Sequence, residues 1–148
     1  MEGSKLRQMV QGDALTNRRF LNVFAANELP YWMPSQSMAI VNCCDRRYPG
    51  EHWIALYKEG DRLEVFDSYG LHPNAYSLMD KLPDFSVMTH NARQLQSLHS
   101  NVCGQYCLYY CYFKARGFAM DDIIARFSRD HFFNDEYVYG TVLNLYHL

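Results

Sequence analysis

Two apolar runs, His52–Tyr57 and Arg62–Asp67, flank the polar break Glu59-Gly60-Asp61. Strand-length runs separated by a short break that contains glycine are a hairpin signal. The second run alternates, with Leu63, Val65 and Asp67 on one face and Glu64 and Phe66 on the other. That is the period of a strand. An antiparallel pair follows, with His52 where it begins and Asp67 where it ends. In an idealised hairpin the two sit roughly opposite each other at the open end.

The remaining pattern places helices around a few strands. Phe20, Leu21, Val23, Phe24 and Leu29 lie partly at helical spacing and predict a helix over Leu15–Leu29, stopped by Pro30 and Pro34. Met38–Val41 is a short apolar run suited to a buried strand within Ser37–Cys43. Asp45–Gly50 reads as a turn. Pro73–Leu82 reads as a short helix, Phe85–Thr89 as a strand and Asn91–Val102 as a loop. Gly104–Arg116 is the most apolar helical stretch, with Gly117 as its C-cap. Met120–Phe127 and Asn134–Tyr146 close the chain as helices. The class is α+β, a small, mainly antiparallel sheet packed with helices. The 148 residues fit one domain, 1–148, with residues 1–14 as a flexible polar leader.

Composition excludes several functions. With 49% apolar and 20% charged residues the chain can bury a core. A net charge of −2 lacks the basic footprint of a nucleic-acid binder. No apolar run approaches the roughly 18 to 20 residues that span a bilayer, and the polar stretch Met1–Gly12 does not have the pattern of a signal peptide. The five cysteines, Cys43, Cys44, Cys103, Cys107 and Cys111, are odd in number and two are adjacent. They do not form a disulfide framework, which points to a reducing, intracellular setting.

The chemistry-bearing residues run in the order His52, Asp67, Cys103, with Gln96 seven positions before the cysteine. Together they are the parts of a thiol protease: base, orienting carboxylate, nucleophile and amide donor. Cys103 is predicted at a helix N-terminus, where the dipole favours thiolate. His52 would exchange the thiol proton, Asp67 would hold its tautomer, and Gln96 with the Cys103 N–H would meet the oxyanion. Each residue also has a plainer reading: a buried core cysteine, a satisfied histidine, a turn aspartate, a solvated glutamine. Gln94 is a rival for the amide role. Cys103, Cys107 and Cys111 form one helical stripe four residues after His99, but the spacing is not that of a common zinc site, so no metal and no cofactor are expected. Trp53 and Gly104, beside the reactive groups, and Asn42 and Asp45, before His52, are candidates to border the substrate cleft.

At these residues the chain resembles the adenain-like cysteine proteases of DNA viruses and large virus-like transposons. The matching strings are Gly50-x-His52-Trp53, Phe66-Asp67-Ser68-Tyr69-Gly70 and Gln96-x6-Cys103-Gly104. The resemblance implies a permuted papain-like fold, with the cysteine last. It implies endopeptidase activity on polypeptides with small residues, glycine above all, near the scissile bond, and maturation of viral or transposon structural precursors. The same clan includes proteases that release ubiquitin or ubiquitin-like modifiers after Gly-Gly, which is the alternative substrate class. A catalytically dead peptide-binding module is the alternative of a different kind. The resemblance further implies a host nuclear or cytoplasmic location, with packaging in virions as a variant. The chain is expected to act as a monomer. An activating viral peptide is a partner of the adenovirus enzyme, whereas DNA stimulation finds no support in the net charge. Asp67 stands where adenovirus enzymes carry Glu.

Overall fold

The computed structural model describes residues 1–43 and 52–146. Among these, β1 (Phe20–Ala25), β2 (Met38–Asn42), β3 (Trp53–Glu59), β4 (Arg62–Phe66) and β5 (Val87–His90) form one sheet in sequential order. The predicted hairpin is β3–β4, with Glu59 opposite Arg62 and Ala55 opposite Phe66. Gly60 turns it at φ +56, a left-handed backbone that glycine adopts without a Cβ penalty.

The sheet is mixed, which corrects the expectation of a mainly antiparallel one. β2–β3 and β3–β4 are antiparallel, but both outer pairings, β1–β2 and β4–β5, are parallel. Parallel neighbours need a crossover, and residues 26–37 and 67–86 provide two. Both crossovers pack on the same face of the sheet. Ala26, Met33 and Leu78 are buried there against Val41, Ile54, Leu56, Leu63 and Val65. The helix expected over Pro73–Leu82 is two 3-10 turns, Pro73–Tyr76 and Met79–Lys81.

Helices cover the opposite face. α1 is Gly3–Val10, α2 Ala14–Arg19, α3 Cys103–Lys114, α4 Met120–Ile124 and α5 His131–Leu145. Tyr106 through Cys111 of α3 are all buried, as a helix apolar on every side must be. Its Tyr110 ring stacks on Phe66 of β4 at 4.7 Å. The Tyr110 hydroxyl donates to Glu64, which also pairs with Lys114 at 3.0 Å. α5 closes the core with Val138 and Val142, and Tyr146 just beyond it donates its hydroxyl to the Leu108 carbonyl at 2.6 Å. Gly117 ends α3 as predicted. It takes φ +88, and the amides of Gly117 and Phe118 return to the carbonyls of Lys114 and Phe113, the two bonds of a Schellman motif.

Two further expectations are corrected. The segment Leu15–Leu29 is not one helix, because α2 stops at Arg19 and β1 begins at Phe20. Phe20, Val23 and Phe24 suit a strand as well as a helix, and pairing with β2 decides the outcome. The polar leader 1–14 is helical over Gly3–Val10, with Leu6, Met9 and Val10 buried in the main core. Asp13 then caps α2 through the Thr16 amide and takes Arg116 on both oxygens at 2.8 and 2.9 Å, which ties this end of the chain to α3.

Candidate active site

His52, Asp67 and Cys103 converge at one end of the sheet. His52 directly precedes β3, and its carbonyl accepts the Cys43 amide at 2.9 Å. Asp67 directly follows β4, and Cys103 is the first residue of α3. All three are nearly closed to solvent, at 7%, 1% and 4% exposure. The His52 Nε2–H donates to Asp67 Oδ1 at 2.6 Å. Nδ1 is buried without a conventional hydrogen-bond partner. The other group the imidazole couples to is the Cys103 thiol, so Nδ1 is the nitrogen free to share a proton with sulfur.

The hairpin register refines the sequence expectation. Extending the β3–β4 ladder past Ala55–Phe66 puts Tyr69, not Asp67, opposite His52. The Tyr69 ring indeed stacks on the imidazole at 4.4 Å, and Tyr76 lies tilted against it at 5.5 Å. Asp67 reaches His52 diagonally because it also starts a turn. The Gly70 amide returns to its carbonyl at 2.8 Å, and its Oδ1 takes the Tyr69 amide at 3.0 Å. The turn reading and the carboxylate reading of Asp67 are thus one arrangement, an Asx turn whose side chain has a lone pair left for histidine. Oδ2 takes the Leu71 amide at 3.1 Å and the Tyr76 hydroxyl at 2.6 Å. Asn91 grips the Asp67 backbone at both ends: its Oδ1 accepts the amide at 2.8 Å and its Nδ2 donates to the carbonyl at 2.6 Å.

The electrostatics follow from these contacts. Burial opposes charge on the imidazole, but the bond to Asp67 and the proximity of Cys103 outweigh it and hold His52 up to about 9. Burial likewise opposes the thiolate, yet His52 and the Trp53 amide bring Cys103 below the ordinary thiol value. That amide donates to Sγ at 3.5 Å. Cys107 and Cys111, on the same helix, are pushed the other way by burial alone or nearly so. The α3 N-terminus carries no side-chain cap at Val102, which leaves its amide dipoles to favour an anion at Cys103.

The other predicted residues are placed as follows. Gln96 is fully buried, with Oε1 held by the Ser68 hydroxyl at 2.6 Å. Its Nε2 donates to the Ser100 carbonyl and hydroxyl at 3.2 and 3.1 Å. Gln94 donates to the Gln96 carbonyl at 2.9 Å. Neither amide hydrogen-bonds Cys103 among the described residues. Trp53 is buried rather than lining an open groove, and its indole donates to the Met1 carbonyl at 2.8 Å. A Cβ on Gly104 would meet Leu6 at 3.2 Å and Met1 at 3.4 Å, so the N-terminal segment covers both. Asn42 ends β2 opposite Trp53. Asp45, with Cys44 and Gly50, lies outside the described residues. Tyr69, Tyr76, Asn91, Ser68 and Ser100 were not singled out in the sequence. Only Ser68 and Tyr69 had a signal, through their place in the string after Asp67.

No protein-family model and no curated protein matches the sequence. Among solved structures the chain is similar to the ASFV pS273R protease, with a TM-score of 0.59 and 18% identity over 97% of this chain. It spans 66% of that protein's solved chain, just under two thirds. The likeness is one of fold.

Proposed function

We propose that this chain is a cysteine endopeptidase of permuted papain-like fold. The observation that carries the reading is the buried His52, bonded to Asp67 and coupled to a thiol that is shifted down while its two helix neighbours are shifted up. In the reaction, the Cys103 sulfur forms a bond to the scissile carbonyl carbon. The imidazolium of His52 then gives its proton to the departing amine as the C–N bond breaks. Water, deprotonated by His52, attacks the thioester and releases the acid, and the proton returns to the thiol–imidazole pair. Asp67 keeps the imidazole in one tautomer throughout. The Cys103 N–H and the Gln96 amide stabilise the oxyanion. For Gln96 this means exchanging a bond to Ser100 for one to substrate, with Ser68 holding its oxygen in place.

By the resemblance, the substrates are Gly-containing sites in polypeptides, in viral or transposon structural precursors. Cys103, Cys107 and Cys111, in no disulfide among the described residues, suit a reducing compartment. No helix among the described residues is long and apolar enough to cross a membrane.

The test is alkylation by iodoacetamide near pH 6, with each cysteine read separately by mass spectrometry, on wild type and His52→Ala. Cys103 should react far faster than Cys107 and Cys111, and His52→Ala should remove the advantage. Cys103→Ala should abolish cleavage of Gly-Gly peptides and leave the circular dichroism spectrum unchanged. A Cys103 that reacts no faster than Cys107 defeats the reading and leaves a peptide-binding module.

A further inference from the structure

We propose that Tyr76 is a positioning residue of this site, its hydroxyl fixing and tuning the carboxylate that holds His52. The inference rests on the cysteine-protease reading above and extends it to a residue no motif marks. Asp67 has four acceptor positions, and all are filled. His52 and the Tyr69 amide take Oδ1; the Leu71 amide and the Tyr76 hydroxyl take Oδ2. Two of the four donors belong to the turn that Asp67 itself begins. Tyr76, at 2.6 Å, is the one side chain besides His52 that reaches the carboxylate among the described residues.

The crossover from β4 to β5 is built to deliver it. Pro73 opens the 3-10 turn, and His72 caps it by accepting the Asn74 amide at 3.0 Å. Ser77 stops the turn directly behind Tyr76 at φ +54, a backbone region that a residue with a Cβ rarely adopts. The Ser77 amide returns to the Asn74 carbonyl at 3.1 Å, which closes the turn behind Tyr76. The same tyrosine lies 5.5 Å from the imidazole, with Tyr69 stacked at 4.4 Å, so two rings flank His52 and keep water from the Nε2–Oδ1 bond.

Among the described residues, the charged and titratable groups around the pair are few. His52 is faced by Asp67 from the end of β4, Cys103 from α3, and Tyr69 and Tyr76 from the crossover. Cys103 also feels the N-terminal amine, Tyr69 feels Asp135 of α5, and Tyr76 feels Cys43 after β2. Burial and the neighbouring carboxylate push the Tyr76 phenol far above its ordinary value, so it remains a donor at every working pH. A donor on Oδ2 draws charge from the carboxylate and weakens its hold on the imidazolium. Removing it leaves the three other bonds to keep Asp67 in place, so the electronic effect governs the sign.

The experiment is an NMR titration of the His52 imidazole, together with the pH profile of Cys103 alkylation, in wild type, Tyr76→Phe, Asp67→Asn and the double variant. Tyr76→Phe should raise the His52 midpoint by about 0.5 to 1 unit. In the Asp67→Asn background it should have no effect. Replacing Tyr76 by 3-fluorotyrosine, a stronger donor of nearly the same shape, should lower the midpoint and keeps the test open if the phenylalanine variant folds poorly. An unchanged or lowered midpoint in Tyr76→Phe, or an equal shift without Asp67, overturns the proposal. A loss of melting temperature with no change in midpoint would mean that Tyr76 only supports the fold. If wild-type Cys103 shows no His52-dependent reactivity, the cysteine-protease reading itself fails. If it does and Tyr76→Phe leaves the midpoint in place, only the role of Tyr76 falls.

Discussion

Asp67→Asn is the most informative perturbation of the pair. His52 is held up to about 9 from an ordinary 6.5, although burial alone would lower it. At about 1.36 kcal/mol per unit, Asp67 and Cys103 together favour the imidazolium by about 3 kcal/mol over a free imidazole, and by more than that against the burial penalty. An amide at position 67 keeps the shape but removes the anion, and its NH2 can turn toward Nε2 and invert the tautomer. Burial then acts unopposed by Asp67, and His52 should titrate below 6.5. Without an imidazolium beside it, Cys103 loses its main anion-stabilising partner and becomes an ordinary or raised thiol. Its alkylation rate at pH 6 should fall about 100-fold, since a thiol near 8.5 is well under one per cent ionised there. Stability should follow the same linkage. His52, raised on folding, contributes fully below pH 6.5, and its share is lost as pH rises through about 9. Asp67, lowered on folding, contributes above the ordinary carboxyl value of 3.8 and loses its share as pH falls below it. Wild type should therefore be most stable relative to Asp67→Asn between about pH 4 and 6.5. The difference should narrow toward pH 10 in urea melts. A variant that keeps the wild-type alkylation profile and a constant stability gap would refute the claim that Asp67 sets the state of His52.

The remaining predictions concern its surroundings. Gln96→Ala should slow peptide cleavage roughly 100-fold with little change in Cys103 alkylation; if Gln94→Ala has that effect instead, the oxyanion donor is misassigned. Asn91→Ala strips two bonds from the Asp67 backbone and should cost about 2 to 3 kcal/mol in chemical denaturation, together with a broadened His52 resonance. Gly117→Ala must adopt φ +88 and should cost about 1 kcal/mol in the same assay, without touching the reactivity of Cys103, which lies at the other end of α3.

What the sequence disclosed, and what it hid, follows from the range of each interaction. The β3–β4 hairpin was legible because its register depends on neighbours: an alternating strand directly beside a glycine turn, with partners running from Glu59–Arg62 to Ala55–Phe66. α3 was legible because its apolar run is continuous, and Gly117 because a left-handed C-cap is a local demand. The direction of β1 and β5 was not legible, since parallel pairing depends on which edge a crossover returns to, and nothing in Phe20–Ala25 or Val87–His90 encodes the partner. α1 was missed for a subtler reason. Leu6, Met9 and Val10 sit at i, i+3 and i+4, the spacing of a helix face, but the polar residues between them dominate a reading of overall composition. The site divides along the same line. The sequence marked His52, Asp67 and Cys103 because the chemistry restricts which residue types can serve. Their partners escaped it because a hydroxyl nine residues beyond Asp67 and an amide 24 residues beyond it are ordinary polar residues until the crossover folds back. Those late-arriving contacts are what fixes the carboxylate in place. Asp67 and Cys103 hold the imidazole up to about 9, whereas Tyr69, Tyr76 and Asn91 hold the carboxylate and the ring in place around it. Substitution among these three should therefore tune reactivity in graded steps, where substitution of the reactive residues abolishes it.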